Sequence, residues 1–135
     1  MSCSAAAAKN SRTLNVLVVD DEPLIRWSIL ETLEARGHQV TEARDAESAL
    51  RAIADARQPL DVVLLDFRLP DSNDLALLAQ IRRLAPTSQV ILMTAFGTPE
   101  LIDGAMNLGA YRVVTKPFEV HAIAALVQQA DASRH

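Results

Sequence analysis

Apolar runs and helix-spaced apolar positions alternate along this chain from Leu14 onward. Residues 14–19 form an apolar run that stops at Asp20 and Asp21. Over residues 23–35, Leu24, Ile25, Ile29, Leu30 and Leu33 recur at the spacing of one helix face, and Gly37 closes the segment. Residues 39–42 read as a shorter and more polar strand. Asp45 can cap a helix reaching about residue 56, with Ala49, Leu50 and Ile53 inward, and Pro59 breaks it. Residues 62–65 are β-branched and aliphatic, and Asp66 follows. The stretch 68–73 has the chemistry of a turn. A helix is expected over 74–85, with Leu75, Leu78 and Ile81 on one face and Pro86 at its end. Residues 90–93 make a strand that stops at Thr94. Thr98-Pro99-Glu100 opens a helix running to about Leu108 and Gly109. A last strand over 113–115 precedes Lys116-Pro117, and a last helix runs from Glu119 to about residue 130.

Strict alternation of strand and helix predicts an α/β domain with a parallel sheet and right-handed crossovers. Four strands read as unbroken apolar runs, as strands covered on both faces do, while the polar second strand belongs on an edge. The expected architecture is a five-stranded parallel sheet in the order 2-1-3-4-5, with five helices spread over both faces. A chain of 135 residues suits one domain, over residues 13–131, between a tail at 1–12 and a short one at 132–135.

Composition narrows the function classes. Half the residues are hydrophobic and 22 % are charged, which fits a packed core. No apolar run reaches the ~20 residues of a membrane span, no secretory leader is expected, and the reading is of a cytoplasmic domain without membrane contact. The single cysteine, Cys3, excludes a disulfide framework and a cysteine zinc site. A net charge of -4 disfavours direct nucleic-acid binding. Eleven of the thirteen basic residues are Arg, so residues 13–135 use Lys once, at 116. Composition bias accounts for that count; a need for a compact ammonium at 116 would too.

In an open parallel sheet, ligands bind outside the carboxyl ends of the strands where the strand order reverses. The polar residues that end the apolar runs are Asp20 with Asp21, Asp66, Thr94 and Lys116, all expected on one edge of the sheet. The order 2-1-3-4-5 puts the reversal between strands 1 and 3, and so puts Asp20 and Asp21 beside Asp66. Three ionised carboxylates in one cleft need positive compensation. An all-oxygen set without Cys or His suits Mg2+. A carboxylate attacks phosphorus when cations neutralise the phosphoryl oxygens, so Asp66 is a candidate phosphoryl acceptor with Lys116 and Thr94 on the remaining oxygens. Each residue alone has an ordinary explanation: Asp after a strand is commonly a cap, Asp20-Asp21-Glu22-Pro23 is an acidic helix start, Thr ends many strands, and Lys-Pro is a turn. Their conjunction at four strand ends is not ordinary.

The segments VVDDEP (18–23), LLDFRLPDSNDL (64–75), MTAFGTPE (93–100) and GAYRVVTKPF (109–118) resemble the receiver domain of two-component response regulators. They are most similar to the receivers of enhancer-binding transcriptional activators of the nitrogen-regulation type. The resemblance covers about residues 13–130 and implies the doubly wound, flavodoxin-like fold. It implies that Asp66 accepts the phosphoryl group of a histidine kinase phosphohistidine. Asp21 and Asp66 would bind Mg2+ directly, Asp20 mainly through water, and the backbone carbonyl of Arg68 would be a further ligand. Thr94 would bond the phosphoryl group and move towards it, and Lys116 would pair with Asp66 or its phosphate. Such a domain is not an enzyme beyond its own phosphorylation and dephosphorylation. Its partners would be a sensor histidine kinase and either an output domain or a second copy, with a switched surface over residues 98–130 controlling transcription. The bond before Pro117 is a candidate for cis.

Two departures from the family pattern stand out. Val113 occupies the position of an aromatic that usually completes the switch, and Tyr111, two residues earlier, is expected on the same face. The loop after Pro70 lacks the usual glycines; Asn73 in a left-handed conformation is the expected means of closing it. Asp71 and Asp74 either add charge at the site or cap the following helix, with the cap favoured for Asp74. Phe67 and Phe118 are expected in the core, Phe96 over the site as a screen against water, and Arg68 either as a second screen or in a salt bridge across the cleft. Trp27 is expected half exposed; His38, His121 and His135 carry no ligand spacing.

Competing functions are weaker. An aspartyl phosphatase usually has a second acid two residues after its nucleophile, where this chain has Arg68. An FMN binder needs a Ser/Thr/Gly phosphate loop after the first strand, where Asp20-Asp21-Glu22 would repel phosphate. Four glycines leave no G-x-G-x-x-G. The remaining rival is a receiver that no longer switches and acts as an interaction module. Val113 speaks for it and the four occupied chemical positions speak against it.

Overall fold

A computed structural model of the protein describes residues 12–134. Apart from Arg12, the expected tail at 1–12 lies outside the described residues, as does His135. The elements alternate without exception: β1 (Asn15–Val19), α1 (Pro23–Ala35), β2 (Gln39–Ala43), α2 (Ala46–Asp55), β3 (Val62–Asp66), α3 (Ala76–Leu84), β4 (Gln89–Thr94), α4 (Pro99–Asn107), β5 (Arg112–Thr115) and α5 (Val120–Ser133). All pairings are parallel, in the order β2-β1-β3-β4-β5. The polar second strand is an edge, as its composition requires.

Strand alternation sorts the core into two layers, because successive side chains leave opposite faces of a strand. Leu17, Val19, Val63, Leu65, Val90 and Leu92 pack on one face with Ala49 of α2, Leu77, Leu78 and Ile81 of α3 and Ala105 of α4. Val16, Val18, Val62, Leu64, Ile91 and Met93 pack on the other with Ile29 and Leu33 of α1 and Ile123, Ala124 and Val127 of α5. Both faces of β1, β3 and β4 are therefore covered, which is why they read as unbroken apolar runs.

Caps hold the helix starts. Asp45 accepts the Ser48 amide at 2.8 Å and Ser48 returns a bond to the Asp45 amide. Thr98 accepts from the Leu101 amide at 3.2 Å. Gly37 and Gly109, just past α1 and α4, have φ of 89° and 98°, which L side chains seldom adopt.

Several expectations need correction. β5 is the second edge: Val113 and Val114 are half-buried and Arg112 and Thr115 exposed, since no further strand covers them. Leu24 is 73 % exposed, because the inward stripe of α1 is Ile25, Ile29 and Leu33 and Leu24 is one position off it. The third helix starts at Ala76, two residues later than expected, although Asp74 still accepts the Ala76 amide at 2.9 Å. The last helix continues to Ser133. No residue other than glycine has a positive φ among those described, so Asn73 does not close the 68–73 loop. Paired bonds between Leu69 and Ser72 close it instead, at 2.8 and 3.2 Å. Asp71 caps neither the following helix nor the site: its carboxylate accepts the Ala46 and Glu47 amides at 2.7 and 3.1 Å, in the first turn of α2.

Candidate functional site

Strand register brings the polar terminators to one level. Val19 pairs with Leu65, so Asp20 and Asp66, each the next residue, leave adjacent strands together. Asp66 pairs with Met93, and Thr94 with Thr115, which carries Thr94 and Lys116 to the same edge. Main-chain bonds hold that edge: Asp20 N–H to the Ala43 carbonyl at 3.0 Å, Phe67 to Met93 at 2.8 Å and Lys116 to Thr94 at 2.7 Å. The peptide bond between Lys116 and Pro117 is cis. Asp21, Glu22, Asp66, Phe67, Arg68, Thr94, Ala95, Phe96 and Lys116 line an open cleft of about 320 Å³.

Lys116 organises the charges. Its Nζ lies 3.0 Å from Asp20 Oδ2, 3.2 Å from Asp66 Oδ2 and 3.2 Å from Glu22 Oε1. Asp20 is fully buried under the cleft, and its Oδ1 accepts the Glu22 amide at 2.9 Å. Asp66 is also buried and accepts the Arg68 amide at 3.2 Å. Asp20, Asp21 and Asp66 can each offer an oxygen within 4.8 Å of the others, and this all-oxygen set fits a hard divalent cation. The hydroxyl oxygen of the buried Thr94 accepts the Phe96 amide at 3.2 Å, which fixes the start of the β4–α4 loop.

Burial pushes the Asp66 carboxyl up to about 6, the Asp20 charge adds to the rise, and Lys116 opposes it. Burial alone would lower the Lys116 ammonium, but the bond and charge from Asp20, with Asp66 and Glu22 behind it, hold it above its ordinary value. A raised carboxyl binds its proton more tightly folded than unfolded. Metal-free stability therefore falls as pH rises from about 4 to 6 through this group, by about 1–3 kcal/mol. Denaturant titrations in a chelator should show Asp66→Asn gaining stability over the native protein across that interval and no further above it. An offset independent of pH would assign the gain to packing.

The remaining sequence expectations divide. Phe67 and Phe118 pack against the two core layers, while Phe96 is 73 % exposed at the cleft. Trp27 is half exposed, and His38 is buried and accepts the Leu14 amide at Nδ1. Tyr111 does not share a face with Val113. It sits before β5, packs on the α1/α5 side, and its hydroxyl lies 3.2 Å from that of Ser133, whereas Val113 packs on the opposite side. The two-residue period fails because Tyr111 lies in the bend outside the strand. Two residues near the site were missed. Glu22 reads in the sequence as part of an acidic helix start, yet its carboxylate makes no cap bond and goes to Lys116. Arg26 donates to the Asp20 carbonyl at 2.6 Å and to Glu42 at 2.9 Å, hanging the acidic loop from β2. An Arg one turn into a helix after an acidic loop was the available signal.

Residues 16–128 match the response regulator receiver domain family. The chain is a receiver domain of that family. It is 36 % identical over 116 residues to the DNA-binding transcriptional regulator NtrC of Proteus hauseri, covering 86 % of this chain and 24 % of the relative. It is 35 % identical over 114 residues to the response regulator protein PilR of Pseudomonas aeruginosa, covering 84 % and 25 %. This receiver thus spans about a quarter of the length of those regulators. Among solved structures, a CheY-like receiver domain protein of Methanospirillum hungatei superposes with a TM-score of 0.84 at 25 % identity, over 91 % of this chain and 97 % of that one. NtrX of Brucella abortus gives 0.81 at 34 % identity, over 91 % and 28 %. No described helix is long and apolar enough to cross a membrane.

Proposed function

We propose that this receiver accepts a phosphoryl group on Asp66 from a histidine kinase and, through it, controls an output domain or a contact with a second copy. The observation that carries the reading is the Lys116 ammonium, 3.0 Å from Asp20 and 3.2 Å from Asp66, beside an acidic triad in which Asp20 and Asp66 are buried and Asp21 is exposed at the cleft. Asp20, Asp21 and Asp66, with the Arg68 carbonyl, are the residues to hold Mg2+, which when bound neutralises charge on the phosphoryl oxygens. Asp66 supplies the attacking oxygen, and Lys116 stays paired to the oxygens as charge transfers. The Thr94 hydroxyl accepts from the Phe96 amide through a lone pair and has its own proton to donate to the phosphoryl group. Phe96 and Arg68 flank the cleft and regulate access of water.

The path from Thr94 to the outer surface is short. Gly97 is packed so closely that an added Cβ would stand 3.1 Å from Thr115 Oγ1. The same position would be 3.6 Å from Ile102 of α4 and 3.8 Å from the Thr94 methyl, so on this reading a movement of Thr94 is passed through the Gly97 loop to α4 and β5, and the switched face is α4, β5 and α5. NtrC-type relatives make a transcriptional output the favoured one. The alternative, an interaction module that does not switch, rests on Val113, which is aliphatic and packs inward on the α2–α4 side.

Intact mass after incubation with Mg2+ and acetyl phosphate tests the acceptor. One added phosphoryl group is expected on the native chain and none on Asp66→Asn. An adduct on both would move the acceptor elsewhere. No adduct on either, with the fold intact, would favour the interaction module.

A further inference from the structure

We propose that Glu22 sets the charge selectivity of this cleft, holding Lys116 from the solvent side and disfavouring small dianionic phosphodonors. The inference rests on the phosphoacceptor reading of Asp66. Its starting point is a helix-start carboxylate that does not cap its helix. Glu22 stands at the N-cap of α1 and makes no capping bond; the loop before it is already closed by its own amide on Asp20. Its Oε1 instead lies 3.2 Å from Lys116 Nζ. That pairing differs from the other two, because the Glu22 side chain is 57 % exposed at the mouth of the cleft while Asp20 and Asp66 lie beneath.

Charge arithmetic gives the consequence. Asp20, Asp21 and Asp66 are balanced by one divalent cation and Lys116. Glu22 is then the surplus negative charge on that side of the site, and an incoming phosphate meets it before reaching Lys116. Arg68 lines the same cleft with the opposite sign, so its identity is kept constant in every comparison. With acetyl phosphate, an Asp66 carboxylate oxygen forms the new bond to phosphorus while the phosphorus–oxygen bond to the acetyl group breaks, and acetate leaves with the electron pair. With phosphoramidate the phosphorus–nitrogen bond breaks and the ammonium group leaves as ammonia. The first donor arrives as a dianion and the second with a single net negative charge, so repulsion by Glu22 weighs more on the first.

Phosphorylation rates at saturating Mg2+ are to be measured for the native protein, Glu22→Gln and Glu22→Lys, with each donor, in low and high salt. For Glu22→Gln we expect a gain of about three- to tenfold with acetyl phosphate and a smaller one, about two- to threefold, with phosphoramidate. Glu22→Lys should extend both gains, and both should shrink at ~1 M salt, where the screening length is about 3 Å. The Lys116 ammonium nitrogen resonance in metal-free protein should also move in Glu22→Gln. Equal changes with both donors, insensitive to salt, would overturn the proposal by making Glu22 a structural residue. Unchanged rates and an unmoved resonance would overturn it outright. A native protein that takes no phosphoryl group from either donor would instead remove the reading beneath it.

Discussion

Replacing Lys116 by alanine is expected to lower the rate of Asp66 phosphorylation by about two to three orders of magnitude at saturating Mg2+. The magnitude follows from position. Lys116 is the one cation within 4 Å of both Asp20 and Asp66 among the described residues, and it approaches them in a partly dehydrated setting where its charge is little screened. The same substitution should cost the metal-free protein about 2–4 kcal/mol, because it leaves the fully buried Asp20 carboxylate without a counter-charge. Mg2+ should return much of that stability but not the rate, since a divalent ion relieves repulsion among the carboxylates and, on the proposed function, cannot stand where the ammonium would meet the phosphoryl group. Arginine should rescue poorly. Its planar fork is longer and cannot satisfy three carboxylates that converge on a point charge. Rates by intact mass, and denaturant titrations with and without Mg2+, separate the two effects. A rate within threefold of native would show that Lys116 is a structural counter-ion only.

The cleft was legible in the sequence because its parts end consecutive strands. A run of buried β-branched residues announces a strand, the first polar residue announces its end, and parallel register does the rest. That is why spacing puts Asp20, Asp66, Thr94 and Lys116 on one edge of the sheet, and the order 2-1-3-4-5 then puts Asp20 beside Asp66. What could not be read is which polar atom a side chain finds across the fold. Asp71 looks like a loop acid or a cap for the helix after it, and instead caps α2, which begins 25 residues earlier in the chain. Tyr111 looks like a strand neighbour of Val113, and one bend before β5 puts it on the other face. Leu24 fits the helical spacing within one position, and one position is enough to leave it in water. Local pattern determines elements; long-range hydrogen bonds and exact registers belong to tertiary geometry.

The same limit hid a charge cluster at the opposite end of the sheet, where Asp61→Ala is expected to give the largest loss of stability of any charge removed outside the cleft. Asp61 is buried just before β3. Its Oδ2 accepts the Asn15 amide at 2.7 Å, tying β1 to β3, and its Oδ1 meets Arg134 and, at 3.3 Å, Arg12. Arg134 also bonds Asp131 at 2.9 Å and the Thr87 carbonyl at 2.6 Å, so α5 is fastened to the start of β4 through one guanidinium. Burial alone would raise the Asp131 carboxyl, but the bonds from Arg12 and Arg134 hold it below its ordinary value. Its share of the stability is therefore present near neutral pH and is lost as acid protonates it. Removing the Asp61 carboxylate strands a part-buried amide and leaves Asp131 as the one carboxylate of the cluster facing two guanidinium groups, a loss of about 2–4 kcal/mol. Asp61→Asn keeps an acceptor for Asn15 and should lose about half as much. Arg12→Ala should cost under about 1 kcal/mol, because its side chain is 47 % exposed and salt screens it. Phosphorylation by acetyl phosphate should be unchanged in all three at a temperature where they are folded, since the cluster and the cleft lie at opposite ends of the strands. Thermal unfolding separates the cases. If Asp61→Ala stays within 1 kcal/mol of native, the cluster is solvated surface charge, and the Asn15 bond is replaced by water.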